Sequence, residues 1–164
     1  MVLDAGDVYR ALSPAVLGYL RAQRAPDPED LLGEIFLQVA RDIARFSGDD
    51  DSLRRWVFTV AHHRLVDERR RRARRPAAAD DPLPDRPANP AAEPVDPELI
   101  AALGQLTPEQ REVVVLRFIG DLPLEAVARI TKRKVGAVKA LQHRALEQLA
   151  RILGTGGDAH IDDG

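Results

Sequence analysis

The 164-residue sequence contains no cysteine, which excludes a disulfide framework and a thiolate metal site. It also lacks any apolar run close to the roughly 20 residues that a membrane-spanning helix needs, so no membrane insertion is predicted. The N-terminus has no basic region followed by an apolar stretch, the pattern that marks a protein for export. We therefore predict a soluble, cytoplasmic protein.

Alternation of apolar and polar residues with period two is absent over any useful length, so the sequence predicts an all-α protein. A chain of this length can form one domain or two small ones, each with a modest core. Glycine and proline cluster instead of spreading evenly, which favours ordered helical blocks separated by a linker.

Charge is strongly segregated along the chain, although the formal net charge is only -2. Residues 54–75 include nine arginines against two acidic residues, Asp67 and Glu68. Residues 76–98 instead include six acidic residues and one arginine. A basic block of this density indicates a polyanionic partner, which the average charge conceals.

Seven prolines and almost no large apolar side chains fall between residues 76 and 97. Such a segment cannot bury enough apolar surface to fold, so residues 76–98 are predicted to form a flexible, acidic, Pro-rich linker. The linker would join one small helical domain, residues 1–75, to another, residues 99–153. Residues 154–164 are predicted to be a disordered tail.

In the first of these domains, a helix is predicted to begin after Asp27, which would cap it. Pro28 follows at the first helical position, and acidic residues follow in the first turn. Apolar residues then recur at helical spacing. They leave a separate polar stripe on the same helix, made of Asp30, Glu34 and Gln38.

A second long helix is predicted from Leu53, with arginines that become denser toward residue 75. Trp56 and Phe58 cannot share a face, because residues two apart do not align on a helix. We place Trp56 on the inner side or its boundary and Phe58 on the exposed side.

The second module has the pattern of a helix-turn-helix. A capping box is predicted at residues 107–110, with Pro108 in the first turn. A short helix over residues 123–131 is followed by a basic turn at 132–134 and a longer helix. In this arrangement one helix braces the other, which enters the major groove of DNA.

These segments, in this order, resemble an extracytoplasmic-function (ECF, group 4) sigma factor of the sigma-70 family. Residues 27–37, DPEDLLGEIFL, resemble the acidic helix of that family, and residues 53–63, LRRWVFTVAHH, resemble its promoter-melting helix. Residues 106–113, LTPEQREV, and 135–139, VGAVK, resemble its distal DNA-reading domain. The two modules would then be sigma region 2 and sigma region 4.

The resemblance implies a subunit without catalytic activity or cofactor that binds core RNA polymerase and directs promoter recognition and transcription initiation. The polar stripe would face the coiled-coil clamp of the polymerase, with an adjacent leucine supplying apolar affinity. The implied polymerase contacts are Asp30, Leu31, Glu34 and Gln38.

Promoter DNA is the second implied partner. At the minus-ten element, cations would bind phosphates and a flat side chain would support unstacked bases, at Arg54, Arg55, Phe58, His62, His63, Arg64, Arg70 and Arg71. At the minus-thirty-five element, the implied contacts are Lys132, Arg133, Lys134, Lys139, His143 and Arg144. Lys132 stands where the family usually has glycine, so a bulky residue is expected in a left-handed conformation.

The family is commonly controlled by an anti-sigma factor, which is therefore an implied third partner. Within the linker, the acidic residues could mimic nucleic acid, fold back onto the basic helix or serve only as a tether, and the sequence leaves these open. His63 and Asp67 share a helical face, but a third ligand is missing nearby and the surroundings are cationic, so no metal site is predicted.

Two other functions fit part of the pattern. A stand-alone helix-turn-helix regulator would use the second module alone and leave the first unexplained. A helical interaction adaptor would use the acidic stripe and leave the dense arginines unexplained.

Overall fold

A computed structural model describes residues 3–74 and 96–155 of the chain, and within these ranges the regular structure is helical. The all-α prediction is confirmed. Most of the predicted linker and tail lies outside the described residues, as do the linker acids from Asp80 to Glu93. The helices are α1 (Ala5–Ala22), α2 (Pro28–Asp42), α3 (Asp50–Ala73), α4 (Pro97–Leu103), α5 (Pro108–Val114), α6 (Leu124–Thr131) and α7 (Val135–Thr155).

The described chain forms two compact units, the first built from α1 to α3 and the second from α4 to α7. Pro97 and Glu98, predicted to be linker, instead form the first turn of α4, where the Asp96 side chain accepts the Glu98 amide at 3.0 Å. No helix in these residues is both long enough and apolar enough to cross a membrane.

Aromatic pairs join the three helices of the first unit. The Tyr19 ring on α1 meets the Phe58 ring on α3 edge-on, with centroids 5.7 Å apart. The rings of Tyr9 and Phe36 make the equivalent edge-on contact between α1 and α2, with centroids 5.1 Å apart. Apolar side chains fill the space between these pairs, and the most deeply buried are Val16, Leu17, Leu20, Ile35, Val39, Val57 and Leu65.

Side-chain caps determine where α2 and α3 begin. Asp27 accepts a hydrogen bond from the Asp30 amide at 3.4 Å, as the sequence predicts. Helix α3 starts at Asp50, three residues before the predicted Leu53, because Asp49 accepts the Ser52 amide at 2.8 Å. This bond favours the ionised carboxylate and lowers the pKa of Asp49 below its ordinary value.

In the second unit, α5 and α6 pack against the long helix α7. The predicted capping box is present: the Gln110 amide donates to Thr107 at 3.2 Å, and the Thr107 amide donates to the Gln110 side chain at 3.3 Å. Helix α5 continues into a π-helical turn over Val115–Ile119. Lys132 has φ 57° and ψ 45°, which confirms the expected left-handed residue between α6 and α7.

Candidate functional site

The predicted polymerase-binding stripe lies along α2 in the first unit. Asp30 is exposed, and Glu34 and Gln38 are half-buried. Leu31 is only 4% exposed, so the prediction that it supplies surface affinity does not fit the structure. Its spacing of four from Ile35 could have shown that it belongs to the core face. The apolar side chain that α2 does expose is Leu37, which is 60% exposed.

The acidic face of α2 borders the C-terminal half of α3. A cavity of about 160 Å³ is lined by residues of both helices and by the cap of α2, all of them acidic or basic except Leu31: Asp27, Asp30, Leu31, Glu34, Glu68, Arg71 and Arg72. Glu68, which sequence reasoning did not single out, bonds Arg71 at 2.5 Å and Arg72 at 3.2 Å. The spacings of three and four residues could have indicated these pairs. Part of the basic charge on α3 is thus offset within the helix.

A second polar contact joins α2 to α3. The Arg64 Nε donates a hydrogen bond to the Gln38 Oε1 at 2.8 Å, between residues 26 positions apart. The family resemblance implies that Gln38 contacts the polymerase and that Arg64 contacts DNA. The structure brings the two side chains into direct contact.

Of the two aromatic residues of α3, Trp56 lies at the boundary of the buried face, as predicted, whereas Phe58 is buried, contrary to the prediction. Phe58 is fully buried against Tyr19, with the Arg54 Cζ 5.8 Å from its ring centroid, so it cannot stack on a DNA base in this fold. Trp56 is half-buried and stacks on Phe46, with centroids 5.3 Å apart and an interplanar angle of 14°.

Phe46 precedes α3, and sequence reasoning did not single it out. Together with Trp56 it borders an open depression of about 400 Å³, whose other lining residues are Asp42, Arg45 and Ser47. The first unit therefore offers a flat surface formed by a stacked aromatic pair beside an exposed arginine.

The remaining minus-ten candidates lie on α3 with different exposure. His63, Arg70 and Arg71 are exposed, whereas Arg54, Arg55, His62 and Arg64 are half-buried. Asp67 is exposed like His63. Among residues 3–74 and 96–155, no three His, Cys, Asp or Glu side chains group closely enough to bind a metal ion.

The minus-thirty-five candidates collect at the turn between α6 and α7 and on the first half of α7. Arg133 is half-buried, and the exposed members are Lys132, Lys134, Lys139, His143 and Arg144. His143 is paired with Glu147 at 2.8 Å, one helical turn further on. Glu147 therefore places an acidic group at the end of this basic surface.

Comparison with known proteins assigns both units. The family description "Sigma-70 region 2" matches residues 8–75, and "Sigma-70, region 4" matches residues 97–149. The ECF RNA polymerase sigma factor SigX of Bacillus subtilis is 30% identical over 148 residues, covering 82% of this chain and 75% of SigX. The chain belongs to the ECF sigma factors of the sigma-70 family. The predicted family is thereby confirmed, and the region 2 match accounts for the unit that a stand-alone regulator leaves unexplained.

Two further similarities agree with this sigma factor assignment. The ECF RNA polymerase sigma factor BldN of Streptomyces coelicolor is 30% identical over 157 residues, covering 90% of this chain; the chain spans 60% of the length of BldN. The fold resembles that of the sigma factor RpoE, solved in complex with the anti-sigma factor NepR from Bartonella quintana. The TM-score is 0.71 at 22% identity, covering 96% of this chain and 99% of the other.

Proposed function

We propose that this sigma factor binds core RNA polymerase, directs it to a subset of promoters and helps to open the DNA, without catalysing a reaction itself. The observation that carries the proposal is the first unit, where an acidic helix face on α2 adjoins the arginine-rich helix α3. One compact unit thus presents surfaces of opposite charge to two partners of opposite charge.

The polymerase surface of this proposal comprises Asp30, Glu34 and Leu37. The two carboxylates would guide encounter with a basic clamp and fix its register. Leu37 lies less than one turn beyond Glu34 and is exposed, so it takes the apolar role that the sequence assigned to Leu31.

The minus-ten surface is the exposed side of α3 together with the stacked pair of Trp56, which lies on α3, and Phe46, which precedes it. The arginines and histidines of α3 would contact phosphates, and unstacked bases would rest on Trp56, which is backed by Phe46. Base stacking on an aromatic side chain contributes about 1–3 kcal/mol per base. Trp56 thus replaces Phe58 as the proposed stacking residue.

The minus-thirty-five surface is the basic turn and first half of α7 in the second unit. Lys132 and Lys134 are exposed at the start of the recognition helix, and Lys139 and His143 follow along it. These are the positions from which a helix-turn-helix reaches phosphates and base edges. Together with the first unit, this surface would allow recognition of two separate promoter elements.

Two further parts of the proposal rest on relatives. RpoE was solved with an anti-sigma factor, and we propose an anti-sigma factor as a regulatory partner of this chain as well. Since the proposed partners are core polymerase and promoter DNA, the proposed location is the cytoplasm.

The polymerase surface can be tested by charge reversal. The double variant Asp30→Lys/Glu34→Lys should weaken binding to core polymerase at least about tenfold, because lysines would repel a basic clamp. The matched control is Asp4→Lys/Asp7→Lys, which makes the same charge change at exposed positions of the same unit and should bind like the wild type. Affinities are measured at physiological salt, with helicity checked by circular dichroism. Wild-type affinity of the α2 variant would exclude this surface.

A further inference from the structure

Arg64 differs from Arg71 and Arg72 of α3 in the kind of partner that orients it. Arg71 and Arg72 bond the Glu68 carboxylate, whose negative charge offsets theirs. Arg64 bonds the neutral amide oxygen of Gln38. A neutral acceptor orients a guanidinium group but leaves its full positive charge available to a third group.

The geometry of the bond leaves the phosphate-binding part of Arg64 unused. A guanidinium group has five N–H donors, of which the Nε carries one and the two terminal nitrogens carry four. The bond to Gln38 uses the Nε at 2.8 Å, and both side chains are half-buried, which limits their freedom. The two terminal nitrogens form a pair that can still bind a phosphate end-on in a bidentate manner.

We propose that Gln38 is a positioning residue for Arg64. It orients the guanidinium group before DNA arrives, so less side-chain freedom is lost when a backbone phosphate binds. The inference rests on the proposed function, since it requires that α3 contacts promoter DNA. It assigns Gln38 to DNA binding, whereas the sequence predicted a polymerase contact.

The test uses the holoenzyme, formed from the full chain and core polymerase, on promoter DNA that is already open at the minus-ten element. Three variants are compared with the wild type: Gln38→Met, which removes the acceptor at similar size, Arg64→Gln, and the double variant. Each single variant should weaken DNA binding about three- to tenfold, and the double variant should be no weaker than Arg64→Gln alone. Core affinity should stay unchanged in all three.

A charged variant tests whether the charge of Arg64, held by Gln38, acts on the DNA. Gln38→Glu keeps an acceptor of the same size but offsets the charge of Arg64, as Glu68 does for Arg71. It should lower DNA affinity and reduce the slope of log affinity against log salt by about one phosphate contact. If Gln38→Glu bound DNA like the wild type, the charge of Arg64 would not reach the DNA from its contact with Gln38, which would overturn the proposal. Thermal unfolding of every variant shows whether the unit is intact.

The outcomes distinguish this inference from the proposed function. If Arg64→Gln weakens DNA binding and Gln38→Met does not, the inference is overturned and the proposed function stands. Additive losses in the double variant, or weaker core binding by Gln38→Met, would also overturn it. If Arg64→Gln has wild-type DNA affinity, the proposed DNA contact of Arg64 fails, and the positioning role fails with it.

Discussion

Lys132 has a left-handed backbone, a conformation that costs a residue with a Cβ about 1–2 kcal/mol and costs glycine almost nothing. The residue lies at the end of α6, in the turn that leads into the recognition helix. A lysine here sacrifices stability but places a cation at the proposed phosphate contact. Stability and DNA affinity therefore favour different residues at this position.

Replacing Lys132 should separate these two effects. Lys132→Gly should raise the free energy of unfolding by about 0.5–1 kcal/mol, the backbone gain being partly offset by the greater freedom of glycine in the unfolded chain. The matched variant Lys132→Gln keeps the Cβ and should leave stability unchanged. Both variants should lower affinity for minus-thirty-five DNA and reduce its salt dependence. Equal stability of the two variants would contradict the strain argument.

Truncation of Phe58 should mainly lower stability, whereas truncation of Trp56 should mainly impair promoter opening. Phe58→Ala removes a fully buried ring and should destabilise the first unit by about 3–5 kcal/mol. Trp56→Ala removes a half-buried ring, so its cost should be clearly smaller, while promoter opening by the holoenzyme should fall strongly. Denaturant unfolding and permanganate footprinting of open DNA measure the two effects. Normal opening by Trp56→Ala would remove it as the stacking residue.

The sequence pattern determines the centre of a buried helical face better than its edges. Val57 and Leu65 recur at helical spacing within α3, and both are fully buried. Trp56 and Phe58 lie on opposite edges of that face, and which edge is buried depends on where Tyr19 of α1 packs. That packing is absent from the local pattern, as is the contact of Gln38 with Arg64 across 26 positions.

At the scale of the helices, the first turns contain the clearest sequence information. The caps at Asp27 and Thr107 could be predicted, because capping residues and prolines have fixed positions relative to a helix start. The early start of α3 at its Asp49 cap and the π-helical turn after α5 were not predicted. The start of α3 depends on which of three consecutive aspartates, residues 49–51, serves as the cap. The π-helical turn was not predictable because its residues are equally compatible with an ordinary α-helix.

The Asp49 cap gives the first unit a specific pH dependence. Its pKa is lowered from 3.8, because the Ser52 amide, and secondly the Ser52 hydroxyl, donate to the charged form. A lowered pKa stabilises the folded state fully above 3.8, and this contribution is lost as the pH falls through the folded pKa.

The variant Asp49→Ser keeps a capping oxygen that does not titrate. The wild type should therefore lose stability relative to Asp49→Ser as the pH falls below 3.8, and the difference should be constant at higher pH. Urea unfolding from about pH 3 to pH 6 measures this difference. A difference that is constant across the whole range would show that the cap does not depend on ionisation.

At the scale of the whole molecule, the chain has two units, and each carries surfaces proposed for polymerase or promoter DNA. The region 2 match, residues 8–75, and the region 4 match, residues 97–149, lie on either side of the Pro-rich segment, and charge within the first unit is split between α2 and α3. The family resemblance was evident from sequence because its motifs fall at helix starts and on helix faces.

Transcription in vitro with purified core polymerase on fragmented genomic DNA, followed by mapping of RNA 5′ ends, tests the central claim most directly. A sigma factor should produce discrete start sites that are absent with core enzyme alone and absent with Asp30→Lys/Glu34→Lys. If the chain bound specific DNA fragments but gave core polymerase no new start sites, the account would be contradicted, and the chain would act as a DNA-binding regulator instead.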